Sequence, residues 1–294
     1  MLPGNQPTNG RAQGLDEKST PLFLIQLFLV PGTIVAACVA ILLLFNWLAG
    51  DEKTVKDYLN EVRTERGNRR WQAAYELSQI LSMEERRGTD PSVVPAIVAI
   101  LTDSLNRPEP EMRRYLVLAL GRLADKRASR ALITAIDDKD EQTRIYAILG
   151  LGASRSVEAV SPIIAAMEDE SGGVRKAAAS SLGALKDPSA TYVLKAALND
   201  REEDVRWNAA LALAQLSDPS GRATINAMMD RNYLNRMTEM SEENKANVIV
   251  NAIRAVILLN DYDERERLID LSRSDPSMKV RQAAIDALAE MKIQ

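Results

Sequence analysis

Apolar residues beyond position 53 recur at the spacing of one face of an α-helix. Val174, Ala178, Leu182 and Leu185 follow one another at steps of four, four and three residues, which trace one stripe along a helix. The same steps begin again at Val205. The alternation of apolar and polar residues that is typical of strands is missing from the sequence, and alanine and leucine dominate. The pattern therefore predicts an all-α fold.

This helical pattern repeats along the chain with a step of 31 residues. Four arginines mark the step most clearly: Arg113, Arg144, Arg175 and Arg206. Proline recurs at the same step, at Pro188 and Pro219, where it can end one helix pair and open the next. A unit of this length cannot bury its apolar face alone and must stack on its neighbours. Residues 50–294 are therefore predicted to form one α-solenoid of about seven helical hairpins.

Departures from the step locate two insertions. Arg70 and Arg113 are 43 residues apart, which is twelve more than one step. Arg206 and Arg281 are 75 residues apart, which is thirteen more than two steps, so a unit between them is enlarged. Val250 stands where the next arginine of the series is expected. We expect the arginine series to be interrupted there, together with a local bend or a specialised contact.

The string VRWNAALAL at 205–213 follows Asp200 at a short distance and has close copies at 169–182 and 275–288. These segments resemble the HEAT repeat superfamily, and in particular the short alanine-rich repeats also found in phycobilin lyases. In HEAT repeats, aspartate and arginine at this spacing form a hydrogen-bonded ladder between successive turns. An arginine fork beside a turn aspartate is also physically suited to satisfy buried turn groups. The resemblance implies this structural role for Asp138, Arg144, Asp169, Arg175, Asp200, Arg206, Asp275 and Arg281.

A separate apolar stretch precedes the repeats. It begins at Leu22 and ends at Leu48, contains no charged residue, and exceeds the roughly 20 residues that span a bilayer. We predict a disordered tail at 1–20 and a transmembrane helix at 21–49 that anchors the protein in the lipid bilayer, with Pro31 kinking or splitting the helix. Two alternatives are a cleaved signal peptide, whose apolar core is about 7–15 residues long, and a lipoprotein signal ending at Cys38. The length of the stretch disfavours the first, and the apolar residues after Cys38 disfavour the second.

Basic residues suggest how such a helix would be oriented. Only Arg11 and Lys18 precede the stretch, whereas six basic residues occur between Lys53 and Arg70. The positive-inside rule then favours a single-pass protein of a bacterial inner membrane with its repeats in the cytoplasm. Long domains cross a membrane largely regardless of charge, so a periplasmic location stays open.

Composition restricts the chemistry that the chain can perform. The 41 acidic and 37 basic residues give a net charge of −4, which argues against a dedicated nucleic-acid-binding protein. The chain has no histidine, the commonest general base and metal ligand. Cys38 is its only cysteine, which excludes an intrachain disulfide and a paired-cysteine metal site. We expect a protein without enzymatic activity, cofactor or bound metal.

Two sets of side chains are candidates for binding a protein partner. The first lies on the second helix of each hairpin, away from the main apolar stripe: Tyr115, Tyr146, Trp207, Leu118, Leu149 and Leu211. Stacking is expected to place Tyr115 beside Tyr146, and exposed aromatic and leucine side chains are typical binding hot spots. The second set lies in the enlarged unit: Tyr233, Met237 and Met240. For both sets the alternative is packing against neighbouring helices or within the unit's own core.

Taken together, these patterns favour a membrane-anchored scaffold or adaptor that holds a protein partner at or in the membrane through the solenoid surface. An accessory subunit of a larger membrane complex is an alternative. A third is an enzyme subunit like the chromophore lyases that share these repeats, although a shared fold does not carry function.

Overall fold

The computed structural model describes residues 20–49, 53–83, 90–105 and 107–293. The chain divides into two units, Met1–Lys53 and Thr54–Gln294, which are described separately below. The predicted disordered tail lies outside the described residues except for Thr20, the first residue of a helix.

The first unit contains the helix α1 (Thr20–Ala49), which continues through Pro31. A membrane span needs about 20 residues that are predominantly apolar. Within the described part of the chain, no helix has both the length and the apolar character required to cross a membrane. The structure therefore does not support the transmembrane helix predicted at 21–49.

The second unit is a stack of helical hairpins, and no strand is present among its described residues. The predicted all-α solenoid is thus confirmed. In each hairpin a first helix is followed by a second helix: α2 (Val55–Thr64) by α3 (Asn68–Ile80), α4 (Val93–Ser104) by α5 (Pro110–Leu123), α6 (Ser129–Ala135) by α7 (Glu141–Ser154), α8 (Val160–Ala165) by α9 (Gly172–Leu185), and α10 (Thr191–Ala197) by α11 (Glu203–Gln215). Beyond these lie α12 (Arg222–Met228), α13 (Arg231–Asn235), α14 (Glu242–Leu258), α15 (Arg265–Ser274) and α16 (Met278–Ile293).

Local sequence explains where these helices begin and end. Asp140 caps α7 by accepting a hydrogen bond from the Thr143 amide at 2.9 Å, and Ser171 caps α9 through the Gly173 amide at 3.1 Å. Five of the second helices, from α5 to α14, close in the left-handed region, for example at Lys186 with φ 55°, where the Lys186 amide donates to the carbonyl of Leu182 at 3.2 Å. The same closure recurs at Ala124, Arg155, Ser217 and Asn260.

Small residues let successive second helices approach closely. A Cβ atom on Gly150 of α7 would lie 2.7 Å from the Cα of Gly121 in α5, and one on Gly183 of α9 would lie 2.8 Å from the Cα of Ala212 in α11. The second helices α3, α5, α7, α9, α11, α14 and α16 therefore form a continuous stack, each packing on the next. The first helices pack on the other side of this stack and contact one another less extensively.

The insertion, residues 229–244, is ordered around α13. Its Leu234 is fully buried, and Met228 and Met229 beside it fill the core of the enlarged unit. Ser241 caps α14 by accepting a hydrogen bond from the Asn244 amide at 3.2 Å. The insertion is thus not an irregular loop, because its buried side chains extend the core of the solenoid.

Candidate interaction surface

The arginine series forms a ladder in which each rung joins two neighbouring hairpins. Arg144 donates from Nε and Nη2 to the two carboxylate oxygens of Asp169, at 2.9 and 3.1 Å. Its Nη1 turns back to the carbonyl of Asp138, in its own turn, at 3.0 Å. Arg144 therefore ties its own turn to the aspartate 25 residues further along. Equivalent carboxylate pairs are Arg113 with Asp138 and Arg175 with Asp200.

Electrostatics are consistent with these rungs. The guanidinium of Arg175 lowers the pKa of Asp200 below its ordinary value, and the Asp200 carboxylate raises the pKa of Arg175. Both partners are largely buried, so each compensates a charge that would otherwise be costly to remove from water. The buried ion pairs of the ladder therefore hold neighbouring turns together and do not form an exposed binding site for charged ligands.

The first rung of the ladder uses a glutamate, Glu109, as the partner of Arg70. Arg70 donates from Nε to the carbonyl of Val62 at 2.9 Å. Its Nη1 contacts both carboxylate oxygens of Glu109 at 3.0 and 2.9 Å. A glutamate in the longer turn before α5 thus takes the place of the usual aspartate.

At the insertion the ladder is displaced rather than simply lost. Arg206 keeps its bond to its own turn, from Nη1 to the carbonyl of Asp200 at 2.7 Å, but its Nη2 pairs with Glu203 of its own helix at 3.1 Å. Position 231, 31 residues after Asp200, carries an arginine instead of an aspartate. Arg231 donates from Nε and Nη2 to the Asp275 carboxylate at 2.9 and 2.8 Å, and so makes the rung for which Val250 has no side-chain donor.

The last hairpin retains only the bond within its own turn. Arg281 donates from Nη1 to the carbonyl of Asp275 at 2.6 Å. The predicted ladder aspartates therefore lie in the turns, and the predicted arginines lie in the first turn of the second helices. The interruption expected at Val250 is replaced by a shifted donor, Arg231, and the missing rung follows Arg206.

The predicted aromatic and leucine side chains lie on the second helices: the two tyrosines two residues, the three leucines five residues and Trp207 one residue after the ladder arginine. Tyr115, Tyr146, Leu118 and Leu211 are half-buried, and Leu149 is 44% exposed. The ring of Tyr115 stacks on Trp71 with centroids 6.2 Å apart, and meets the edge of Tyr75 at 5.1 Å. Within the described residues, these rings and not Tyr146 are its aromatic neighbours.

Trp207 occupies a different environment from the one expected. Only 5% of this residue is exposed, and it belongs to the core cluster that also contains Leu234. It follows its ladder arginine by one residue, and the enlarged unit adds apolar side chains on that side of α11. Trp207 is therefore part of the core and offers no free surface to a partner.

The candidates in the insertion are also engaged in packing. Tyr233, Met237 and Met240 are half-buried against the same core cluster as Trp207. The hydroxyl of Tyr233 donates to Glu203, and the guanidinium of Arg236 lies 5.4 Å from the centre of the Tyr233 ring. These three side chains thus contribute to the core of the enlarged unit.

The structure defines an apolar surface on the N-terminal second helices, which we call the aromatic strip. It comprises Trp71, Tyr75, Tyr115, Leu118, Tyr146 and Leu149. Trp71 and Tyr75 were not predicted, although Tyr75 follows Arg70 by five residues, the same distance at which Leu118 and Leu149 follow their arginines; Trp71 follows Arg70 by one residue. The strip ends before α9, where the residues two and five positions after Arg175 are the buried Ala177 and the exposed Ser180.

Among the described residues, no group of three or more histidine, cysteine, aspartate or glutamate side chains is arranged to hold a metal ion. The chemistry that the strip offers is apolar and aromatic contact, which is the chemistry of protein recognition.

Comparison with protein families places the repeats in a known group. The family model described as HEAT repeats matches residues 94–172, 129–214 and 160–237. Residues 94–237 are thus similar to HEAT repeats. The hairpins outside that range continue the same helix-turn-helix stack.

Solved structures with a similar fold include helical repeat proteins of several kinds. The complex of CpcE and CpcF of phycocyanin lyase from Nostoc sp. PCC7120 is 18% identical, with 82% of this chain and 96% of that chain covered at a TM-score of 0.54. A computationally designed armadillo repeat protein for modular peptide recognition is 18% identical, with 81% and 99% covered at a TM-score of 0.43. At 18% identity the likeness to the lyase complex shows the fold alone. A search of curated proteins gives no significant match.

Proposed function

We propose that this HEAT-repeat solenoid is a non-enzymatic scaffold or adaptor that binds a protein partner through the aromatic strip. One observation carries the proposal: Leu149 is 44% exposed in the middle of a second helix, at the same distance from its ladder arginine as Tyr75, which is 39% exposed on α3. Exposed leucine and aromatic side chains that recur in one register are characteristic of interaction sites. The absence of histidine from the sequence supports a binding role over a catalytic one.

The test compares two exposed apolar residues of the same solenoid. Leu149→Asp places a charge in the strip, whereas Val157→Asp places the same charge at a residue that is 77% exposed in the turn before α8. Proteins that co-purify with the tagged full chain are quantified by mass spectrometry for the native protein and both variants. We expect a stoichiometric partner to be lost with Leu149→Asp and retained with Val157→Asp.

Thermal unfolding of both variants provides the necessary control for folding. Equal midpoints with a selective loss of the partner would support binding at the strip. Equal partner recovery from the native protein and from Leu149→Asp would exclude the strip as the binding surface. A partner set made of integral membrane proteins would favour the accessory-subunit form of the proposal, and soluble partners would favour the adaptor.

Membrane attachment and location are a separate part of the proposal and are supported by sequence alone. The stretch from position 22 to position 48 contains no charged residue, and the basic residues after it favour a cytoplasmic solenoid. Fractionation of cells after carbonate washing tests attachment, since a spanning helix stays with the lipid. Protease treatment of intact spheroplasts tests location, because only a periplasmic solenoid would be digested.

A further inference from the structure

We propose that a pocket beside the aromatic strip receives a lysine or arginine side chain of the bound protein segment. This inference rests on the proposed function, because it assumes that a protein lies along the strip. It adds the chemical class of the residue that is recognised at the end of the strip nearest to α2.

The pocket lies between the N-terminal ends of α3 and α5 and has a volume of about 360 Å³. Trp71, Asn68, Glu109 and Glu111 are among the residues that line it. Gly67, with φ 58°, immediately precedes α3, and a Cβ atom built on it would meet nothing within 4 Å. The space is thus open to a side chain that arrives from solvent.

Trp71 links this pocket to the strip. Its ring lines the pocket and also stacks on Tyr115 at 6.2 Å. Glu111 precedes Tyr115 by one helical turn, so it lies on the same face of α5. An aromatic ring and a carboxylate are thereby placed on either side of one cavity.

The accessible charge in this pocket is negative. Two carboxylates, Glu109 and Glu111, line it against one guanidinium, that of Arg70. In the ion pair between Arg70 and Glu109, the arginine side chain is 11% exposed and the glutamate side chain 32%. Glu111 is exposed and has no hydrogen-bond partner among the described residues. The neighbouring Arg114 is already committed to Asp140, with bonds of 3.0 and 2.6 Å.

These features match a basic side chain better than an acidic or apolar one. A guanidinium or ammonium group is attracted to the face of an indole ring, and an arginine can also stack on it through its plane. Its charge would complement Glu111 and the exposed edge of Glu109, while its aliphatic stem would cover the apolar part of Trp71. We therefore assign the partner an apolar segment that carries a lysine or arginine at one end.

A library of random dodecapeptides displayed on phage tests this assignment on the full chain. Peptides are first sorted by whether Leu149→Asp abolishes their binding, which identifies those that use the strip. Among these, we expect enrichment of lysine or arginine at one position. Glu111→Gln should weaken their binding by about fivefold, the upper range for a partly exposed charge pair, whereas Glu158→Gln should leave it unchanged.

The direct contact is examined by replacing the basic residue of a selected peptide with norleucine, which keeps most of the stem and removes the charge. If Glu111 pairs with that residue, Glu111→Gln will no longer weaken the norleucine peptide. Strip-dependent peptides that are insensitive to Glu111→Gln would overturn the pocket assignment and leave the proposed function intact. If no peptide depended on Leu149, the binding strip itself would be refuted, and the pocket assignment with it.

Discussion

The shifted rung between Arg231 and Asp275 is expected to stabilise the C-terminal hairpins. Asp275 has a fully buried side chain, and Arg231 is 18% exposed. Arg231→Met removes both side-chain donors at 2.9 and 2.8 Å and leaves the carboxylate with the Ser277 amide at 2.9 Å. Breaking a buried ion pair lowers the free energy of unfolding by about 3–5 kcal/mol. Because Arg231 is partly exposed, we expect a loss at the lower end of that range, about 3 kcal/mol. Its second contact, with the well-exposed Glu242, should add little.

Chemical denaturation of the full chain, followed by circular dichroism, measures this loss. Arg254→Met is a matched control, because Arg254 is exposed on α14 and makes only a 3.4 Å contact with Asn251. We expect the control to change stability by less than about 0.5 kcal/mol. The free energy of unfolding of the double variant Arg231→Met, Asp275→Leu should fall by less than the sum of the losses in the two single variants, since no charge is left buried and unpaired. If Arg231→Met were no more destabilising than Arg254→Met, the ladder interpretation would be wrong.

Three further outcomes follow from the same structure. Arg114 and Thr143 lower the pKa of Asp140 to about 2 from 3.8, so stability from this contact is complete above about pH 4 and is lost as the pH falls toward 2. Arg114→Gln should flatten that acid slope in denaturation measurements. Gly150→Ala would gain about 1 kcal/mol of helix propensity, but its Cβ atom would lie 2.7 Å from the Gly121 backbone; we expect a net loss of about 1 kcal/mol and a lower unfolding midpoint. Arg175→Ala should lower the midpoint as well, because it leaves Asp200 without its fork.

Much of the solenoid could be predicted because it rests on local and repeated signals. The apolar steps in α9 and α11 mark helices, and the arginine step fixes how many residues each hairpin contains. Asp140 and Ser171 could be recognised as caps, because a cap is decided by neighbouring residues. Periodicity thus carries information about secondary structure and stacking with little need for tertiary detail.

The partners of individual side chains could not be obtained in the same way. The period places an arginine near its own turn aspartate, but it does not show that the fork reaches the aspartate of the next hairpin. Arg231 stands in an aspartate register, and it was not recognisable as a rung before α13 was placed beside the turn that carries Asp275. Trp207 has the spacing of a surface residue and is buried only because the enlarged unit covers it. Such contacts depend on how insertions fold, which the repeat does not encode.

The ladder and the core change at the same helix, which predicts that the solenoid unfolds in two blocks. Arg206 on α11 makes no rung to the next hairpin, and the core divides into two clusters at this helix. The packing of α11 on α14 is also less extensive than that on α9. In a solenoid, stability is approximately a sum of hairpin and nearest-neighbour terms, so the weakest interface sets the boundary between cooperative units. Hydrogen exchange of Arg231→Met should therefore accelerate in α13–α16 and stay unchanged in α3–α9. Equal acceleration in both blocks would contradict this prediction. It would show that the interface between α11 and α14 couples the unfolding of its two sides as strongly as the interfaces between the other second helices do.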